Sequence, residues 1–323
     1  MSSSLWSNKE SAYRKAIKYI KNRQSGKIKS WLTPYSKLND AVVNGLEWNS
    51  LIIIGGRPGT GKTLIKDQII NESFKINKEE DFRVLEFSLE MVDKVSIIRE
   101  FSSVTQKSYK DLCSANNPIS DPIINACVDH AKGSLDNKID LVTDAPTVEE
   151  FIRIIMEYMK QHIFEKEDGT KSYTNTVVTL DHSVLLKKSK QHSTKTDMLY
   201  DLGEAITLLK RKYPIIFIVL SQLGRGVDTP ERNENGKYGN YILESDIFGG
   251  DALYQHADVV IGINRPAKRK IKYYGPERYV IDNEDVLVWH FLKCRNGDTR
   301  MCFFEAQFQN MRIKEIPPPQ NTN

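Results

Sequence analysis

The run Gly56-Arg57-Pro58-Gly59-Thr60-Gly61-Lys62-Thr63 satisfies the pattern GxxxxGK[ST]. In that pattern glycines let backbone N–H groups wrap phosphates, and the following helix offers a partial positive charge. The lysine reaches the β and γ phosphates, and the hydroxyl ligates Mg²⁺. ATP with Mg²⁺ is therefore the expected ligand, with Lys62 on phosphate and Thr63 on the metal. Hydrolysis also needs a carboxylate on the metal side and a group that positions water. Val177-Val178-Thr179-Leu180-Asp181 is an apolar run ending in an acid, which makes Asp181 the candidate second metal contact. Phe87-Ser88-Leu89-Glu90 ends another buried strand where ligands of open α/β sheets sit, so Glu90 is the candidate general base. A carboxylate there also suits the dipole of a following helix. Gln222, after the apolar run Ile215 to Leu220, either bridges the γ-phosphate to a moving loop or satisfies backbone groups at a strand end. Glu86, inside its strand, reads as structural.

These residues need a scaffold, and the pattern supplies one. Apolar runs at Leu51–Ile54, Arg83–Ser88, Ile139–Val142, Val177–Leu180, Ile215–Ser221 and Asp258–Asn264 read as strands. Helical periodicity over Lys62–Phe74, Val148–Ile163 and Asp197–Tyr213 separates several of them. The expected fold is a mostly parallel α/β sheet with helices on both faces. Val286–Leu292, Arg300–Phe304 and Met311–Ile313 follow closely, with Asn296-Gly297 as a hairpin signal between the first two. A second short helical pattern lies within Trp31–Trp48. Near the start, Tyr13, Ala16, Ile17 and Ile20 fall on one helical face of a basic segment. Residues 1–36 carry eight cations against Glu10, so they hold +7 of a chain whose net charge is +4. That balance permits a polyanionic partner without requiring one. No apolar run approaches the ~20 residues of a membrane span, and Met1–Lys9 lacks the apolar centre of a secretory signal, so a cytoplasmic protein without a membrane partner is expected. The four cysteines form no CxxC pair. Cys127 and His130, three apart on a helical pattern with Cys113 upstream, lack a fourth zinc ligand.

Several motifs then occur in a fixed order: Gly56-Arg57-Pro58 with Gly61-Lys62-Thr63, Phe87-Ser88-Leu89-Glu90-Met91, Leu220-Ser221-Gln222-Leu223, Ser245-Asp246-Ile247 with Gln255-His256-Ala257-Asp258, and Lys293-Cys294-Arg295-Asn296-Gly297. Together they resemble the motor domain of the DnaB-type (superfamily 4) hexameric replicative DNA helicases, across roughly Trp31 to Ile316. Asp181-His182-Ser183 is closer to the bifunctional phage primase-helicases, which suggests a phage or plasmid member.

The resemblance implies a RecA-like core over residues 31–316, preceded by a linker helix within 1–30 and followed by a flexible Pro-rich tail, 317–323. It implies a hexameric ring that translocates on single-stranded DNA and unwinds duplex during replication. Arg295 would be an arginine finger entering the neighbour's ATP site with Lys293 beside it, and the N-terminal helix would pack on the adjacent subunit. DNA would pass two loops, one carrying Lys187, Lys188 and Lys190, the other Phe248, Gly249 and Gly250. In the second loop Phe248-Gly249 replaces the family's usual Arg-Glu pair, so backbone N–H groups or stacking by Phe248 would have to substitute. About 30 residues precede the core, so a collar domain and priming chemistry are expected on separate primase and loader proteins. Lys268-Arg269-Lys270-Ile271-Lys272-Tyr273-Tyr274 reads either as a nucleic-acid or base contact or as a solvated loop. Two alternatives share the core: a RecA or RadA-like recombinase filament, and a nucleotide-gated DNA-binding or loading factor that does not unwind.

Overall fold

The computed structural model describes residues 8–90, 93–135, 138–166, 168–233, 239–249 and 251–321. In chain order the first elements are α1 (Lys9–Gln24), α2 (Ser36–Ala41), β1 (Ser50–Gly56), α3 (Lys62–Ile76) and β2 (Phe82–Ser88). Then come α4 (Asp93–Thr105), α5 (Tyr109–Cys113), α6 (Asp121–Leu135), β3 (Ile139–Val142) and α7 (Val148–Gln161). A small hairpin, β4 (Ile163–Glu165) and β5 (Lys171–Tyr173), leads to β6 (Asn175–Asp181), α8 (Lys195–Lys212) and β7 (Ile215–Gln222). The short helices α9 (Pro230–Asn233) and α10 (Asp251–Tyr254) precede β8 (Val259–Asn264), β9 (Tyr273–Tyr274) and β10 (Tyr279–Val280). The chain closes with β11 (Val286–Cys294), β12 (Met301–Gln307) and β13 (Arg312–Ile316).

Nine strands form one sheet in the order β13-β12-β11-β8-β1-β7-β6-β2-β3. From β8 to β3 all neighbours are parallel, while β11, β12 and β13 add antiparallel pairs on the other side. The parallel strands are unbroken apolar runs because both faces are covered. Leu51, Ile53, Phe217 and Val219 meet α7 and α8 through Phe151, Ile155, Leu202 and Ile206. Ile52, Ile54, Ile216 and Ile218 meet α2 and α3 through Leu38, Leu64, Ile65 and Ile69. Both α7 and α8 start at capping boxes, Thr147 with Glu150 and Thr194 with Asp197. Each such cap is worth about 1 kcal/mol and fixes where its helix begins.

Several sequence expectations change. The helical pattern within Trp31–Trp48 yields only α2; Trp31 is instead buried against Phe82 and bridges Leu46. The helix expected to reach Ile163 stops at Gln161, and Ile163 opens the β4–β5 hairpin. The link from β11 to β12 is longer than an Asn-Gly hairpin: the Gly297 N–H turns back to the Cys294 carbonyl, so Arg295 and Asn296 occupy the bend. The tail is tied down in part, since the Gln320 carbonyl accepts the Val280 N–H. Nothing in α1 is buried; Tyr13 is 58% exposed and Ile17 and Ile20 are 53% exposed. Its apolar face therefore does not cap this chain's own core, and its C-terminal end is held by Arg23, which donates to Ser30 Oγ at 2.9 Å and the Val43 carbonyl at 3.0 Å.

Candidate nucleotide site

The C-terminal ends of β1, β2, β6 and β7 converge on a cavity of about 570 Å³. Pro58, Gly59, Gly61, Lys62, Thr63, Glu90, His182 and Gln222 are among its walls. The loop after β1 is shaped for this. Gly61 is the N-cap of α3 at φ +89°, a left-handed conformation that side chains resist. A Cβ there would also stand 3.2 Å from the ring of Phe308. Lys62 Nζ donates to the carbonyls of Gly56 at 2.8 Å and Arg57 at 3.3 Å, so the ammonium lies folded over its own loop. Burial lowers its pKa, while the Asp181 and Glu90 carboxylates oppose that shift. Thr60 Oγ1 donates to the Arg57 carbonyl at 2.8 Å and braces the same turn.

Asp181 sits behind the cavity wall, 2% exposed, and its Oδ1 is a buried oxygen without a hydrogen-bond partner. An orphaned carboxylate oxygen in such a place is costly unless something positive meets it. With Thr63 on the cavity wall, the two sequence-derived metal residues suit a hard, oxygen-seeking cation such as Mg²⁺. His182 follows Asp181, and burial lowers its pKa against the pull of Glu90 and Asp181, which favours the neutral ring. Its Nε2 is 3.4 Å from the Gln222 amide nitrogen, so the amide is aimed across the site. Glu86 joins a buried ion cluster: Lys66, 1% exposed and one helical turn beyond Lys62, pairs with it and with Asp67 at 2.8 Å. Burial alone would depress the Lys66 pKa, but the Asp67, Glu86 and Asp181 carboxylates outweigh it and hold it above the ordinary value.

Arg295 and Lys293 are not part of this cavity. Arg295 lies past the end of β11, beside the start of β8, where its backbone N–H meets the Asp258 carbonyl and its guanidinium stands 3.3 Å from Asp258 Oδ1. That is the opposite edge of the sheet from the phosphate loop, roughly 20 Å away along a seven-residue strand. Lys293 donates to the carbonyls of Tyr254 at 2.7 Å and Gln255 at 3.3 Å. Arg57 also departs from expectation: its side chain does not line the cavity and bonds to the segment after β7 instead.

Lys187, Lys188 and Lys190 are exposed on the loop after β6. Buried His192 shapes that loop, with Nε2 2.8 Å from Asp201 and Nδ1 accepting the Ser189 N–H at 3.2 Å. In the second loop Phe248 is 39% exposed and its N–H donates to the Gln222 carbonyl at 2.8 Å. Gly249 has φ +80° and packs so closely on Leu199 that a Cβ would not fit. Gly250 and Met91 lie outside the described residues. Of the basic stretch, Lys268 donates to the Pro58 carbonyl of the phosphate loop at 3.1 Å. His130 pairs with Glu100 at 2.6 Å, and no metal-ligating cluster occurs among the described residues.

Sequence reasoning missed the other wall of the cavity: Arg99 and Ser102 on α4, Tyr109 and Lys110 on α5, and Phe308, Gln309 and Met311 between β12 and β13. No spacing ties these segments to the phosphate loop. Only the capping box of Ser108 with Asp111 marked one of them as the start of a helix.

Comparison with known proteins agrees with this geometry. A model of the DnaB-like helicase C-terminal domain matches residues 32–315. The replicative DNA helicase DnaC of Bacillus subtilis is 25% identical over 282 residues, 87% of this chain and 55% of that protein. The replicative DNA helicase DnaB of Geobacillus stearothermophilus is 24% identical over 94% of this chain and 62% of its own length. This chain thus spans little more than half the length of these curated relatives. Among solved structures, the ATPase domain of a phage helicase superposes with a TM-score of 0.74 at 16% identity, covering 94% of this chain and 98% of that one. A DnaB-like replicative helicase whose structure was described with its interactions with primase gives 0.71 at 15% identity, covering 90% and 64%. The fold is that of the RecA-like α/β ATPases. With the phosphate loop, the two strand-end carboxylates and the antiparallel extension all in the family's order, the chain belongs to the DnaB-like helicase C-terminal domain family.

Proposed function

We propose that this chain is the motor of an ATP-driven ring helicase that moves on single-stranded DNA and separates duplex during replication. One observation carries the reading: Lys62, Thr63, Glu90 and Gln222 share a cavity, whereas Arg295 stands at the far edge of the same sheet. A finger so placed can serve only a neighbour's phosphates, and a head-to-tail contact repeated with closure is a ring.

In this reading Lys62 exchanges the Gly56 and Arg57 carbonyls for the β and γ phosphates. Mg²⁺, when bound, is held by Thr63 and Asp181 and supplies charge neutralisation at those phosphates. Glu90 accepts the proton of the attacking water. Gln222, beside His182 and bonded through its carbonyl to Phe248, reports occupancy to the second loop. Arg295, with Lys293 beside it, completes the adjacent protomer's site. The exposed Tyr13, Ile17 and Ile20 face of α1 supports packing on that same neighbour, six subunits to a ring. Lys187, Lys188 and Lys190 would track backbone phosphates, and Phe248 would stack on bases. Separate primase and loader proteins are the proposed partners, and the cytoplasm of a bacterial or phage-infected cell the place of action. No helix among the described residues is long and apolar enough to cross a membrane. A forked-duplex strand-displacement assay tests this. ATP-dependent unwinding with closed rings in electron micrographs is expected; open filaments, or DNA binding without displacement, would refute the ring motor.

A further inference from the structure

We infer that Asp228 is a positioning residue that links the phosphate loop to the second candidate DNA loop through the side chain of Arg57. This rests on the function proposed above. Arg57 sits in the loop that would wrap phosphate, yet its guanidinium points to the segment after β7. Its Nε donates to Asp228 Oδ2 at 2.8 Å and its Nη1 to the Leu223 carbonyl at 3.1 Å. Arg269 backs Asp228 from the other side, 3.7 Å from Oδ1, and also donates to the Val227 carbonyl.

The main chain of Arg57 has a different set of partners. Its carbonyl accepts Thr60 Oγ1 at 2.8 Å and Lys62 Nζ at 3.3 Å. The cation that phosphate would claim is therefore engaged on Arg57 itself. Once a phosphate takes Lys62, that carbonyl loses a donor and the turn relaxes, while the far end of Arg57 stays fixed to Asp228 and Leu223. Ligand binding thus has a differential interaction with two states of the loop, which any ligand-driven shift requires.

The receiving segment is stiff enough to carry the displacement. Leu223 bridges Ile247, the Gly224 N–H donates to the Asp246 carbonyl at 2.7 Å, and the Phe248 N–H donates to the Gln222 carbonyl at 2.8 Å. Inside it, buried Arg232 grips the Asp246 carboxylate with both terminal nitrogens, one of them at 2.9 Å. A shift at Asp228 therefore reaches Phe248 through bonded neighbours. Nothing in the phosphate-loop motif requires an aspartate at this position, and neither the family match nor the relatives' names assign it a role.

The test measures affinity for oligothymidylate with and without a non-hydrolysable ATP analogue and Mg²⁺, in wild type, Asp228→Ala and Asp228→Glu. Amide hydrogen exchange of residues 223–233 is followed with and without the analogue alone. In wild type the analogue should change oligothymidylate affinity at least ~5-fold, the lower end of ordinary coupling, and should alter exchange in the segment. Asp228→Ala should bring both effects close to none, and Asp228→Glu should keep most of them. Analogue affinity without DNA should stay within about two-fold, because a partly exposed ion pair contributes little to stability. Coupling that persists in Asp228→Ala, or wild-type exchange indifferent to the analogue, overturns the link. A wild-type chain that binds no analogue overturns the parent reading together with the link. Binding of analogue without oligothymidylate refutes only the DNA assignment, and the exchange experiment still decides the link.

Discussion

Replacing Arg295 with Ala separates a finger that acts in trans from a surface residue beside a turn. The folding cost follows from its surroundings. The guanidinium is 54% exposed and meets Asp258 at 3.3 Å, and exposed pairs contribute ~0–1 kcal/mol. The backbone bond from Arg295 N–H to the Asp258 carbonyl survives the change, and Asp258 keeps Lys210 and the Leu51 N–H. The variant should therefore fold and bind nucleotide normally. Turnover is another matter: an arginine delivered to a transferring phosphoryl group contributes about 10³–10⁵ in rate, or ~4–7 kcal/mol. A loss of that size cannot come from a fold perturbed by ~1 kcal/mol. The assay is steady-state ATP hydrolysis with oligothymidylate, alongside binding of a fluorescent nucleotide. Mixing the variant with Lys62→Ala subunits extends it. Each parent is inactive, yet roughly a quarter of the interfaces in a random equal mixture pair an intact phosphate loop with an intact finger. Partial recovery is expected. Full-rate hydrolysis by Arg295→Ala alone, or mixtures as inactive as their parents, would refute action in trans.

Lys62→Ala should remove turnover below detection in the same hydrolysis assay; undiminished hydrolysis would sink the phosphate-site assignment. Lys66→Met strands Glu86 in a buried place and should cost about 3–5 kcal/mol by denaturant unfolding, whereas Lys66→Met with Glu86→Leu should recover much of that. A double variant as unstable as the single would contradict the pairing. His290 is 8% exposed, and burial pulls its pKa to about 4 from an ordinary 6.5. The folded-state value is the lower one, so its contribution is fully present above about 6.5 and is lost as pH falls toward 4; the full difference is worth ~3 kcal/mol. Melting temperature should drop across that window in wild type and less steeply in His290→Gln, and parallel curves would refute the assignment.

The phosphate loop, both strand-end acids and the parallel sheet were legible in the residues because they obey local rules. A glycine pattern fixes a turn, an unbroken apolar run marks a strand covered on both faces, and a carboxylate at its end falls on the ligand edge. The Glu86 partner was not legible, because Lys66 reads as an ordinary helix cation until β2 is laid beneath α3. Nor was the direction of the Arg57 side chain, which depends on a segment more than 160 residues later in the chain. The cavity wall from α4, α5 and the turn at Phe308 escaped for the same reason: those residues meet the nucleotide site only after the sheet brings distant segments together. Short-range sterics and hydropathy thus determined which elements form and where their chemistry ends. Which side chains face each other across the site, and that Arg295 faces away from its own phosphate loop, were decided by packing, since long-range contacts exist only once the strands have taken their order.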